Sequence, residues 1–413
     1  MKDKVRSFFD EHREYIERSI VEITRKLVAK RTVNAGKDRL SEFEYLEVPG
    51  QEAMACEVVR EYLDEWKIPY EVHEGAPGRE NLIASLFDGD KSLMMGLHTD
   101  VVPPGDGWDT DPFEVVEKDG RLYGRGALDD KGPLASVMMS AWMMKELDLD
   151  LNGKFQIAAI ASEEFREAGE EDPGIEFLLK NKLVNTDMAI IPDIGEQMKL
   201  IDIAEKGRAV YKVSTYGAQA HGSTPEHGVN AANMMARVLT AYEGWELKHE
   251  RHPVLESPTM NVGMIRGGSA ANIVPGECHT TVDVRFVPGQ TSEGVRQELE
   301  QKAREALADY LEDERTDVRV VVEDATEPHD IAADHPMIPA IQSNTDDVLG
   351  LTPQPIGIGG GTFAKAFNLG GIPAVGFGPG LDEQFHVSNE YVDTKELVDF
   401  CLITALVACD LLG

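Results

Sequence analysis

Cysteine is scarce: the 413 residues hold only 4, at Cys56, Cys278, Cys401 and Cys409. They form neither a CxxC pair nor a compact framework, which argues against a disulfide scaffold and against structural zinc held by sulfur. They read as reduced, mostly buried thiols of a reducing compartment. Positive charge is also in short supply. Lys and Arg number 40 against 74 Asp and Glu, a net charge of −34. A surface of that sign repels phosphate backbones and anionic headgroups, so nucleic acid and membranes are poor partners. The same excess fits a protein working in high salt, where screening removes self-repulsion. Long apolar runs are missing as well. The most apolar late stretch, Phe400 to Cys409, stops at Asp410 after about ten residues, short of the ~20 that span a bilayer, and reads as a C-terminal core helix. The opening segment, Met1 to Val28, carries charges every few residues and has no signal-peptide core. It reads as a surface helix of a cytoplasmic protein.

What remains is a folded chain. Hydrophobic residues make up 42%, 38 glycines are spread along the length, and at ~150 residues per domain two or three domains are expected. After a polar loop near Val33 to Pro49, a helical pattern runs from Gln51 to Trp66. Short apolar runs then alternate with helices, at Asn81–Phe87, Ser92–His98, Phe155–Ala161, Met188–Pro192 and Pro373–Phe377. Continuous apolar strands separated by helices predict a doubly wound, mostly parallel α/β sheet covered on both faces.

Between the fourth and fifth runs the pattern changes. Arg208–Tyr216, Thr259–Arg266, His279–Val287 and Asp317–Glu323 read as strands, with helices at Val229–Trp245 and Thr291–Leu311. This βαββαβ order predicts a two-layer ferredoxin-like α+β unit. The expected organisation is a catalytic domain made of 1–206 and 325–413, interrupted by an inserted lid domain, 207–324.

Five stretches carry candidate chemistry. His98 and Asp100 follow an apolar strand in Gly96-Leu97-His98-Thr99-Asp100, the strand end where open α/β sheets hold ligands. The turn Tyr123 to Gly132 packs three glycines around Asp129 and Asp130 ahead of a helix; either acid could merely cap it, and the GxGxxG spacing of a nucleotide site is absent. Glu163 and Glu164 end another apolar strand and point in different directions, which suits one to a metal and its neighbour to proton transfer. Asp193 closes Ile190-Ile191-Pro192-Asp193, and His386 sits in Phe385-His386-Val387-Ser388-Asn389-Glu390. Five strands of one sheet ending in such residues form a pattern that core packing does not demand. So many carboxylates with two histidines predict a pair of divalent cations, Zn²⁺, Mn²⁺ or Co²⁺.

The segments HTDVVPPGDGW, LYGRGALDDKG, ASEE, IIPD, GAQAHGSTPEHGVNA, GGSAANIVPG, DVRF, GGGT and FHVSNEYV, in order over residues 80–393, resemble the dinuclear zinc aminoacylase family. That family includes acetylornithine deacetylase, succinyl-diaminopimelate desuccinylase, carboxypeptidase G and cytosolic dipeptidases. The resemblance implies that His98 and Asp193 hold one zinc, that Glu164 and His386 hold the other, and that Asp129 bridges them ahead of a cis peptide. Asp100 would orient His98, and Glu163 would be the general base for a water held between the two metals. It further implies that His221 reaches the partner's active site in a homodimer built through the lids and stabilises the oxyanion. Asn272, Arg285 and the backbone of Gly359, Gly360, Gly361 and Thr362 would hold the substrate carboxylate. Arg285 could instead be an ordinary strand ion pair. The implied activity is hydrolysis of N-acyl amino acids, with dipeptides as the rival substrate: Gly359 to Ala366 resembles the dipeptidases, and the Phe377 to Gly380 turn the deacylases. A non-catalytic binding protein on the same scaffold is the alternative of another class.

Overall fold

The computed structural model describes residues 1–36, 39, 42–43, 46, 48–166 and 169–413, so the polar loop expected over 33–49 lies partly outside the described residues, as does 167–168 beyond Glu164. The chain divides into two units, Met1–Ile203 with Ile331–Ile356 and Gly361–Gly413, and Ala204–Asp330 with Gly357–Gly360. The limits 207–324 expected for the insertion fall within the second.

The chain opens with α1 (Lys2–Ala29) and α2 (Ala53–Trp66), then the hairpin β1 (Tyr70–Ala76) and β2 (Arg79–Leu86). β3 (Lys91–His98) follows, then the short β4 (Val116–Lys118) and β5 (Arg121–Tyr123), α3 (Lys131–Glu146), β6 (Gly153–Ile160), α4 (Ile175–Lys180), β7 (Met188–Ile191) and β8 (Leu200–Glu205). The insertion comprises β9 (Gly207–Tyr216), α5 (Ala231–Tyr242), β10 (Thr259–Gly267), β11 (Glu277–Phe286), α6 (Ser292–Ala306), β12 (Asp317–Thr326) and β13 (His329–Asp330). The chain returns through α7 (Met337–Leu349), β14 (Gln354–Ile358), α8 (Phe363–Leu369), β15 (Ala374–Gly376), β16 (Tyr391–Asp393) and α9 (Thr394–Leu412).

In the first unit the main sheet runs β1-β2-β6-β3-β7-β15-β8. The expected parallel pattern holds for its centre, where β6, β3, β7 and β15 pair in parallel. The flanks are antiparallel, through β1 with β2, β2 with β6, and β8 with β15. Direction follows from connection length. β1 and β2 are joined only by Pro77 and Gly78, a hairpin turn that reverses the chain, whereas parallel neighbours need a long crossover. Central strands such as β3 are buried on both faces, which is why they read as unbroken apolar runs. α9 is apolar almost all round and buried from Leu397 to Cys409, the core helix expected of that stretch. No helix among the described residues is long and apolar enough to cross a membrane.

The second unit has a four-stranded antiparallel sheet ordered β10-β11-β9-β12, the strand order of a ferredoxin-like βαββαβ unit. α5 and α6 cover one face, burying Met234, Val238 and Leu299 against Tyr211, Val213, Val282 and Phe286. β10 lies at the sheet edge and leaves Val262, Met264 and Ile265 exposed.

Candidate metal centre and its supports

His98 is the last residue of β3, Glu163 and Glu164 lie just past β6, and Asp193 lies two residues past β7. These are carboxyl ends of neighbouring parallel strands, so alternation along each strand no longer separates the side chains and they converge. His386 arrives after β15 by way of the turn Asp382–Gln384. Asp129 comes from elsewhere. Its glycine turn follows β5 in a separate three-stranded sheet, β16-β5-β4, which corrects the expectation that all five stretches end strands of one sheet. Neither acid caps α3: Asp130 occupies the cap position without a side-chain cap bond. The peptide between Asp129 and Asp130 is cis. Two of the glycines are there for space. Gly126 has φ +89° beneath Val101 and Lys131, and a Cβ on Gly132 would fall 2.0 Å from the Ala127 carbonyl oxygen.

Asp129 sits between the two histidines. Its Oδ1 lies 2.8 Å from His98 Nε2, and its Oδ2 lies 3.3 Å from His386 Nε2. Asp193 Oδ1 is 3.9 Å from His98 Nε2, and Glu164 Oε2 is 2.9 Å from His386 Nε2. The structure thus gathers His98, Asp129, Glu164, Asp193 and His386, with Glu163 grouped beside His98 and Asp193. His98 and Asp129 are almost fully buried, while His386 is the open edge of the cluster.

Burial and mutual repulsion dominate the electrostatics. Burial, with Asp193 and Glu164 nearby, holds the Glu163 carboxyl well above the usual range. Burial and Asp129 push Glu164 up to about 8, and Asp193 rises to about 6, chiefly through burial. Asp129 goes the other way: despite burial, the two histidines hold it well below the usual range. His386 is pushed up to about 10 by its bonds to Asp129 and Glu164. Glu164 Oε1 is buried with no hydrogen-bond partner. A buried orphan oxygen among crowded carboxylates, with N and O donors and no thiolate, fits hard to borderline divalent cations.

Asp100 is fully buried and supports the centre. His98 Nδ1 lies 3.0 Å from its carbonyl oxygen, and its carboxylate accepts from Asn34 Nδ2 (2.8 Å) and from the backbone N–H groups of Glu163 and Glu164 (3.1 Å each). Sequence reasoning missed other supports. Glu390, fully buried, receives Arg125 Nη1 at 2.6 Å and the backbone N–H groups of Gly126, Leu128 and Asp129 at 3.0, 2.9 and 3.2 Å. Its only sequence signal was its place in the His386 motif. Asn34 and Glu52, in or beside a polar loop, carried none.

In the second unit, His221 is exposed, with Nδ1 2.8 Å from Ser223 Oγ. The segment holding Asn272 lies against it: His221 bridges Ile273, and Gly222 N–H donates to the Asn272 carbonyl at 2.8 Å. Arg285 forms the strand ion pair considered for it, donating to Asp283 Oδ1 at 2.9 Å, and it also donates to the Gly359 carbonyl oxygen, beside Gly360, at 3.3 Å. Gly361 and Thr362 belong to the first unit, where Thr362 Oγ1 caps α8 through Ala364 N–H.

Residues 94–409 match the family model for Peptidase family M20/M25/M40. The chain is 32% identical over 347 residues to an acetylornithine deacetylase of Proteus mirabilis, covering 79% of this chain and 84% of that one. It is also 32% identical over 316 residues to an acetylornithine deacetylase of Myxococcus xanthus, covering 75% and 77%. Among solved structures it resembles aminopeptidase PepT of Bacillus cereus, with a TM-score of 0.71 at 22% identity over 96% of this chain and 99% of that one. It also resembles the dinuclear metal-binding M20 peptidase YXEP of Bacillus subtilis, with a TM-score of 0.71 at 13% identity over 97% and 99%.

Proposed function

Because this chain belongs to peptidase family M20/M25/M40, whose members are metal-dependent hydrolases of amide bonds, we propose that it removes the acyl group from an N-acyl amino acid, in the manner of the acetylornithine deacetylases it is similar to. Asp129 carries the reading, since one carboxylate spans two histidines that each have a further acid beside them. His98, Asp129 and Asp193 would hold one divalent ion, and Asp129, Glu164 and His386 the other; zinc suits the donors, with cobalt or manganese as substitutes. When bound, such a pair supplies Lewis acidity towards an amide carbonyl and lowers the pKa of water. Glu163 does the proton work. Its backbone N–H is held by Asp100 beside His98 and Asp193, and its carboxyl passes the proton taken from water to the leaving amine.

The second unit would bind what the metals do not. His221 would stabilise the oxyanion, while Asn272 and Arg285, with the backbone at Gly359 to Thr362, would hold the free carboxylate of the substrate. The exposed apolar edge strand β10 supports a homodimer through this unit, because an unpaired edge with Met264 and Ile265 in water is a template for a second copy. Four buried thiols support a reducing, cytoplasmic setting.

The test is amine release from N-acetyl and N-succinyl amino acids and from dipeptides, with protein loaded with Zn²⁺, Mn²⁺ or Co²⁺ against chelated controls. Metal-dependent cleavage of the acylated panel is expected. Cleavage confined to dipeptides would move the substrate to the peptidases, and ion binding with no cleavage of either would overturn the enzyme reading.

A further inference from the structure

The turn that delivers Glu163 and Glu164 is held almost entirely by side chains. β6 ends at Ile160, and the next four backbone N–H groups are accepted in succession: Ala161 by Asn81 Oδ1 (2.9 Å), Ser162 by Glu52 Oε1 (3.1 Å), and Glu163 and Glu164 by Asp100 (3.1 Å each). Asn81, Glu52 and Asp100 are each fully buried. The turn needs such support, because Ser162 adopts φ +65°, a left-handed conformation that a residue with a Cβ holds only when its surroundings dictate it. Glu52 is itself locked. Arg79 grips both its oxygens, Nε to Oε2 at 2.5 Å and Nη2 to Oε1 at 2.6 Å, and Gly50, with φ +78°, leaves room where a Cβ would fall 2.4 Å from Oε1.

We propose that Glu52, ion-paired with Arg79 and assisted by Asn81, is a positioning residue of the hydrolase: through the Ser162 N–H it aims Glu163 at the water and Glu164 at the ion shared with His386. The proposal rests on the hydrolase reading above. It accounts for a buried ion pair that touches none of the proposed metal ligands yet ends on the residue preceding the base.

Three variants test it in the full-length protein: Glu52→Leu, Arg79→Met, and Glu52→Gln, which keeps an oxygen acceptor and the side-chain volume. Each is assayed for kcat and KM, and titrated with Co²⁺ by calorimetry and visible absorption. For Glu52→Leu and Arg79→Met the expected result is a fall in kcat and in affinity for one Co²⁺ of about 10–100-fold each, the range seen when a support behind a ligand is lost, with KM and the other Co²⁺ little changed. Glu52→Gln should recover most of the loss, and Arg79→Met carries the test if Glu52→Leu does not fold, wild-type kcat and Co²⁺ affinities in it overturning the proposal. Glu52→Leu that loses only thermal stability, with kcat and both Co²⁺ affinities of the wild type, overturns the proposal. So does Glu52→Gln as defective as Glu52→Leu, because the acceptor to Ser162 would then be irrelevant. A wild type that cleaves no amide or takes up no Co²⁺ overturns the hydrolase reading instead.

Discussion

Glu390→Gln is the perturbation that most directly tests how the Asp129 turn is held. The substitution is nearly isosteric and keeps an oxygen able to accept from Gly126, Leu128 and Asp129, but it removes the charge that faces Arg125 at 2.6 Å. Arg125 is 1% exposed and Glu390 0%, so the guanidinium is left without its counter-ion and out of reach of water. Breaking a buried pair by removing one partner costs about 3–5 kcal/mol, a large part of the 5–15 kcal/mol that keeps a domain folded. At roughly 2–3 °C per kcal/mol for a unit of this size, the melting temperature of metal-free protein should fall by about 6–15 °C. The Asp129 N–H keeps its acceptor, so affinity for divalent ions should change by less than about 10-fold. The checks are urea and thermal unfolding followed by circular dichroism, with zinc titration by calorimetry. Replacing both partners, as Arg125→Met with Glu390→Leu, removes the orphan charge and should destabilise by clearly less than the two single changes together. A Glu390→Gln protein within ~1 kcal/mol of wild type, or single effects that simply add, would refute the reasoning, since both need the stranded Arg125 charge to dominate.

Four further outcomes are expected. Glu163→Gln should bind both ions and lose about 10²–10⁴-fold in kcat; retained turnover would remove Glu163 from proton transfer. Zinc binding at neutral pH should release protons, because Glu164 near 8 and His386 near 10 are protonated before ligation and must be deprotonated after it. Apparent affinity therefore rises with pH through that window, and calorimetry in buffers of different ionisation enthalpy that finds no proton release would contradict it. With a net charge of −34, the melting temperature should climb as NaCl goes from 0.01 M to 1 M and the screening length contracts from about 30 to about 3 Å; an unchanged melting point would exclude self-repulsion as a significant term. Ile265→Lys on the β10 edge should convert a dimer into a monomer in light scattering, and a dimer that persists would place the contact elsewhere.

Much of the architecture was legible because it is written in local periodicity. β3, β6 and β7 are buried on both faces and so appear as unbroken apolar runs, and the amphipathic α5 and α6 show their buried stripes. β1 was invisible for the converse reason. Its residues are exposed or half-buried with no clean alternation, so its sequence, Tyr70 to Ala76, carries no period. The direction of β2 was equally hidden, since an apolar run reads the same whichever way its neighbour points.

The sequence by itself singled out the residues proposed to carry the chemistry. His98, Glu163 with Glu164, and Asp193 each stand at the end of an apolar run, and the density of glycine around Asp129 marks a turn that other side chains would clash with. Tertiary structure alone decided how those residues are held. Asp129 is brought to His98 from a different sheet, Glu52 reaches the N–H of a residue 110 positions away, and Arg125 meets Glu390 across 265. A carboxylate that accepts from such distant donors leaves no periodic trace, because its partner is selected by the packing of whole elements and not by its neighbours in the chain. Burial then makes each of those bonds costly to lose, and that is what turns a set of acids and histidines near strand ends into a site of defined geometry.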